Sequence, residues 1–165
     1  MPCVQLVATG GTIDKIYNPL TGQLDVGPPV MPAILAAAGL AAADCEVVEL
    51  LRKDSLEITD DERQMLAAAI AGHPADRLLI THGTDTMGAS AVAIAAAAPE
   101  KTVVLTGAMI PYSIAGSDAA FNVGVAYAAA RLLPAGVYIA MHGTVLPHSD
   151  YAKDRSLGRF VPKAG

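Results

Sequence analysis

Cysteine occurs only twice in the 165 residues, at Cys3 and Cys45, too few for the disulfide framework of a small secreted domain. Both lie in apolar segments, so both are expected to be small buried hydrophobes and not reactive thiols. Long apolar runs are missing as well. Asp, Lys, Gly or Pro interrupts every candidate before it reaches the roughly 18 to 20 residues that cross a bilayer, so no membrane partner is expected. The net charge is -5 without long stretches of one sign, which removes the electrostatic footprint of a nucleic-acid binder. The four histidines (His73, His82, His142 and His148) have no i, i+4 pairing and no cysteine partner. No metal site is expected from them. Met1-Pro2-Cys3 runs into a strand-like segment without a basic n-region or a cleavage site, from which we expect a cytoplasmic protein.

What the chain has in quantity is alanine, within a hydrophobic share of 53% against 16% charged. At this length one domain, residues 1–165, is expected to bury about two-thirds of its unfolded surface. Short apolar runs alternate with helical patterns, the signature of a parallel sheet with helices on its faces. Strands are expected at Cys3–Ala8, Cys45–Leu51, Arg77–Ile80, Thr102–Leu105 and Gly136–Met141. Helices are expected near Pro32–Ala38, Asp60–Ala71, Met87–Ala97 and Asp118–Leu133. Thr59 with Glu62 forms a capping box for the second helix. Two segments fit neither period. Asp14 to Pro29 reads as a long surface loop, a lid or binding element, and the tail from Leu146 to Gly165 reads as irregular. The expected architecture is one three-layer α/β/α domain around a mostly parallel, Rossmann- or flavodoxin-like sheet. The alanine-rich helices could also pack against a second subunit, so a homo-oligomer, a dimer or larger, is expected.

In such sheets ligands bind outside the carboxyl ends of the strands. Small hydroxyl residues and glycines follow all five expected strands: Thr9-Gly10-Gly11-Thr12, Lys53-Asp54-Ser55, Thr81-His82-Gly83-Thr84-Asp85-Thr86, Thr106-Gly107-Ala108-Met109 and His142-Gly143-Thr144. Glycine turns let backbone N–H groups approach a ligand closely. Neither a G-x-G-x-x-G nor a G-x-x-x-x-G-K-[ST] follows the first strand, so no nucleotide cofactor, and no cofactor of any kind, is expected. A carboxylate or a developing oxyanion suits these short loops better.

Thr12 follows paired glycines and can expose its hydroxyl at the strand edge like a hydrolase nucleophile, or it can simply hydrogen-bond its own turn. Thr84 and Asp85 precede a helix and read equally as N-cap residues or as the start of a nucleophile–base relay. Lys153 could complete that relay if burial lowered its pKa, or it could be a solvated lysine. The residues alone leave these alternatives open.

Ala8-Thr9-Gly10-Gly11-Thr12-Ile13 and Thr81-His82-Gly83-Thr84-Asp85-Thr86-Met87 resemble the two signature segments of the bacterial-type L-asparaginases. Thr106-Gly107-Ala108-Met109 resembles their third strand-end loop, and Asp118 with Phe121-Asn122 resembles the helix that follows. Thr144-Val145-Leu146 with Lys153 resembles the segment that delivers the catalytic lysine. The chain resembles the short, single-domain members, without the family's smaller C-terminal domain.

The resemblance implies hydrolysis of L-asparagine to L-aspartate and ammonia. Thr12 would be the nucleophile, forming an acyl-enzyme. Thr84, Asp85 and Lys153 would form a second triad that activates Thr84 or the water. Ser55, in the loop with Asp54, would bind the substrate α-carboxylate together with backbone at Gly11 and Gly83. Asp85 would also meet the α-amino group, and Ala108 would supply backbone contact to the side-chain amide. Where the family carries a loop tyrosine this chain has Leu24, so Tyr17 is assigned its activating role. The rival readings are a glutaminase-leaning amidase, the ammonia-releasing module of a tRNA-dependent amidotransferase, and a non-catalytic amino-acid-binding paralogue.

Overall fold

A computed structural model describes residues 3–41 and 46–163. In chain order the elements are β1 (Gln5–Gly10), β2 (Lys15–Asn18), β3 (Gln23–Val26), α1 (Met31–Ala37), β4 (Val47–Lys53), α2 (Asp60–Gly72), β5 (Arg77–Thr81), α3 (Met87–Ala97), β6 (Thr102–Thr106), α4 (Ala119–Leu132), β7 (Gly136–Met141), β8 (Thr144–Pro147), β9 (Tyr151–Asp154) and β10 (Arg159–Pro162). The main sheet runs β4-β1-β5-β6-β7-β8. Its first five strands are parallel and β8 returns antiparallel on β7. The parallel strands, taken by their rank along the chain, lie in the order 2-1-3-4-5. That is the flavodoxin-like arrangement, whose topological switch point falls between β1 and β5.

Alternate residues of each strand serve opposite layers, as a period of two requires. Leu78 and Ile80 pack with Leu66 and Ile70 of α2 and with Ala91 and Ile94 of α3. Leu79, between them, packs with Ile34 and Leu35 of α1 and with Val123 and Ala126 of α4. Both faces are therefore covered, which is why the central strands read as continuous apolar runs and not as alternating ones. Alanine on the inner faces of α3 and α4 (Ala91, Ala126 and Ala130 are fully buried) lets those helices lie close to the sheet. The Thr59–Glu62 capping box forms as expected at the start of α2.

The chain departs from the sequence reading in three places. Asp14 to Pro29 is not an open loop: β2 and β3 pair antiparallel, with Tyr17 opposite Leu24 and Lys15 opposite Val26. Pro19 and Gly22 fall in the connecting turn, closed by Gly22 N donating to Asn18 O at 2.8 Å, and Pro28 and Pro29 lie beyond the ribbon. The tail is likewise ordered into β8, β9 and β10. Pro147 ends β8, Gly158 lies in the β9–β10 turn and Pro162 ends an edge strand, all positions where breakers are tolerated. Cys3 is exposed and not buried, because it precedes β1; Cys45 lies outside the described residues. No helix among the described residues is long and apolar enough to cross a membrane.

Candidate active site

The strand-end loops at the switch point touch through their backbones. Gly11 follows β1 with φ 88°, a left-handed conformation that favours glycine, and its N–H donates to Lys53 O at the end of β4, 2.9 Å away. A Cβ on Gly11 would collide with the backbone of Gly83, after β5. A Cβ on Gly83 would in turn lie 2.6 Å from the Ser55 Oγ. Only bare backbone allows the three loops to close on one another. Thr12 and Thr84 each follow one glycine of that touching pair, so the fold brings both hydroxyl residues to one spot.

Lys153 Nζ donates to Thr84 Oγ1 and to Asp85 Oδ1, 2.8 Å each. Thr84 is buried and the Lys153 side chain is 14% exposed, so solvent does little to screen the contact between them, whereas the Asp85 side chain is 32% exposed. The lysine arrives on β9, opposite Phe160 of β10. Tyr151, two residues before it, is buried, packs on Phe160 at 5.4 Å between ring centroids and donates its hydroxyl to Met141 O at the end of β7, at 2.9 Å. The β9–β10 ribbon is thereby tied to the sheet edge, and Lys153 follows from it. The capping alternative for Thr84 and Asp85 does not hold: the residue before α3 is Thr86, and its hydroxyl donates to Ser55 O at 2.8 Å. With Lys153 charged, Thr84 Oγ1 accepts from it; with a neutral amine the same contact reverses and takes up the hydroxyl proton. An open cleft of about 380 Å³ borders Thr84, Asp85, Thr86 and Lys153. Thr12 and Ser55 do not line it; they meet the triad through the glycine contact.

Ser55 is 1% exposed, and its Oγ has no hydrogen-bond partner, a costly state for a buried hydroxyl unless a ligand completes it. Asp54 is already engaged. Its Oδ1 accepts from Leu56 N at 3.1 Å, capping the single 3-10 turn Ser55–Glu57, and its Oδ2 accepts from Lys15 Nζ at 2.6 Å. Partial burial works to raise its pKa, but Lys15, the Leu56 amide and the charge of Lys153 together hold the carboxyl below the usual carboxylate range.

The loop carrying Ala108, itself buried, is clamped by α4. Asn122 donates to Gly107 O at 3.0 Å and accepts from His142 N at 3.1 Å, and Asp118 accepts from Met109 N and Ile110 N at 3.0 Å. Tyr17 is the exception among the expected site residues. It is 64% exposed on β2 and makes no hydrogen bond to Thr12. Sequence reasoning missed Asp14, which is 1% exposed. Its Oδ1 accepts from Val30 N at 2.9 Å and its main-chain oxygen from Gly27 N at 2.8 Å, so it closes the base of the β2–β3 ribbon. Burial pushes its carboxyl up to about 6, and its Oδ2 has no partner. The only signal is an acidic residue straight after Ile13, in the turn that leaves β1.

Comparison with known proteins identifies the family. The family model described as asparaginase, N-terminal, matches residues 3–159. The L-asparaginase of Thermococcus kodakarensis is 33% identical over 160 residues, covering 93% of this chain and 48% of that protein. A glutamyl-tRNA(Gln) amidotransferase component of Haloquadratum walsbyi is 34% identical over 152 residues, covering 87% and 34%. The solved structure of the thermostable T. kodakarensis L-asparaginase superposes with a TM-score of 0.81 at 30% identity, over 96% of this chain and 50% of that one. The chain thus spans between about a third and a half of these relatives' lengths. A flavodoxin-ordered sheet, glycine loops closed at its switch point, and a lysine joined to threonine and aspartate occur here in a chain whose family model covers nearly all of it: the protein belongs to the asparaginase family.

Proposed function

We propose that this module hydrolyses the side-chain amide of L-asparagine, giving L-aspartate and ammonia, through a threonine nucleophile. The observation that carries the reading is the 2.8 Å contact of Lys153 Nζ with both Thr84 Oγ1 and Asp85 Oδ1. A binding site alone has no need of a lysine joined to a hydroxyl and a carboxylate. In the proposed sequence Thr12 Oγ attacks the amide carbon and its proton passes to the departing nitrogen. Ammonia leaves and a threonine ester remains. Water, activated by Thr84 with Lys153 and Asp85, then cleaves that ester and restores the Thr12 hydroxyl. Ser55, with its unpartnered Oγ, and the backbone of Gly11 and Gly83 would hold the α-carboxylate. Asp85 would meet the α-amino group and Ala108 the amide. Tyr17 would take part only when the β2–β3 ribbon folds over the cleft.

Adding L-asparagine to the purified protein should release ammonia, and Thr12→Ala should abolish that release. A wild-type chain that releases none would leave the amino-acid-binding paralogue as the better reading. The match to an amidotransferase component favours one second reading, an ammonia-releasing module serving a tRNA-dependent reaction. The net charge of -5 weighs against a tRNA surface on this module. Parallel kinetics on L-glutamine test the glutaminase-leaning variant, since one methylene is worth only about 1 to 3 kcal/mol of discrimination. A cytoplasmic homo-oligomer is part of the same proposal; sedimentation reports the assembly and fractionation the compartment.

A further inference from the structure

Beneath the strand-end loops lies a polar chain that the proposed chemistry does not use. His82 is fully buried, with Nδ1 2.7 Å from Gly83 O and Nε2 2.8 Å from Ser90 Oγ. Ser90, also fully buried, lies 2.7 Å from Arg63 Nη1, and Arg63 Nη2 donates to Ile58 O at 3.3 Å. For a neutral imidazole the donor count admits one arrangement. A guanidinium only donates and a carbonyl only accepts. Ser90 Oγ therefore accepts from Arg63 and sends its own proton to Nε2, which leaves Nδ1–H to donate to the Gly83 carbonyl. Burial, with the nearby Arg63 charge, pushes the imidazole down to about 4, in keeping with a neutral ring at pH 7.

We propose that Arg63, Ser90 and His82 are positioning residues that orient the Gly83–Thr84 peptide for catalysis. The proposal rests on the amidohydrolase reading. A peptide unit is planar and trans, so a carbonyl held against His82 also fixes the opposite direction of the Thr84 N–H. It also sets the Cα from which the Thr84 hydroxyl reaches Lys153. Gly83 is the residue that touches Gly11 and Ser55, and Ile58, the far anchor of the chain, directly follows the Ser55–Glu57 turn. One buried relay therefore spans α2, α3 and the ends of β4 and β5, and sets the spacing of the loops above it.

Two measurements test this. In wild-type protein, ¹⁵N NMR of the His82 ring should report a protonated Nδ1 and a bare Nε2; the opposite tautomer overturns the relay whatever the activity. In steady-state hydrolysis of L-asparagine, Ser90→Ala should lower kcat about tenfold or more while KM moves less than threefold. Ser90→Thr, which keeps the hydroxyl, should recover most of the loss. An unchanged kcat in Ser90→Ala, or no recovery in a folded Ser90→Thr, overturns the positioning role. A wild-type protein that releases no ammonia sinks the amidohydrolase reading instead, and the tautomer still decides whether the relay exists.

Discussion

The two threonines of the proposed site have very different surroundings. Thr84 is buried, bonded to Lys153 and backed by a continuous polar chain into the core. Thr12 is half-buried on a single 3-10 turn, beside a ribbon whose tyrosine faces solvent. The first half is preorganised, with Lys153 already joined to Thr84 and Asp85. The ribbon beside Thr12 is tied down by Lys15 on Asp54, Ser113 on Lys15 O and Asp14 on Val30 N. A hydrolase gains from this division. Fixed dipoles and relays lower the barrier, whereas the side that admits substrate and releases ammonia has to open.

The sharpest way to break the comparison is at Thr12. Thr12→Ala should reduce ammonia release by about a thousandfold or more with substrate affinity little changed; turnover that survives would move the nucleophile to the other half. Lys153→Met should lower kcat on the order of a hundredfold, far more than it raises KM. A pure KM effect would make the rigid half a binding surface only.

Asp14 probes the adaptable half through pH. Its folded pKa, about 6, lies above the ordinary 3.8, so the folded state holds the proton more tightly than the unfolded one. Stability from this group is fully present below about pH 4 and is lost as pH rises through 6. The loss is about 3 kcal/mol. Asp14→Asn should therefore flatten the curve, gaining on wild type between about pH 4 and 6.5 in denaturant unfolding. His82, depressed to about 4, contributes the opposite slope, losing stability as pH falls below 6.5, so the difference between variant and wild type isolates Asp14. A constant difference across that range would contradict the burial of a charged carboxylate. The smallest effect is expected from Lys15→Ala. A partly exposed ion pair contributes little to stability, but its loss should loosen the ribbon and raise KM about threefold, measured with kcat in the same assay.

The layers were readable in the chain because periodicity, breakers and the Thr59–Glu62 box all act locally. β7 and α3 fall where they are expected, at Gly136–Met141 and Met87–Ala97, and the other shared elements shift by one to two residues at one end or both. The β2–β3 and β9–β10 ribbons were not readable. Their strands are four residues long and pair by turn geometry, and the same Pro and Gly that look like loop also end strands and make turns. The triad was legible only through resemblance. Thr84 and Lys153 are 69 positions apart, and no local pattern tells a lysine buried against a hydroxyl from a solvated one. The His82–Ser90–Arg63 chain was hidden for the same reason: its order is spatial, across α2, α3 and the end of β5.

The most direct measurement is a crystal structure of the protein with bound L-aspartate. It should show Thr12 Oγ facing the β-carboxyl carbon, the α-carboxylate on Ser55 Oγ, and Lys153 still joined to Thr84. Aspartate bound with its β-carboxyl turned away from Thr12, or with Lys153 swung out of reach of Thr84, would contradict the division of labour between the two threonines.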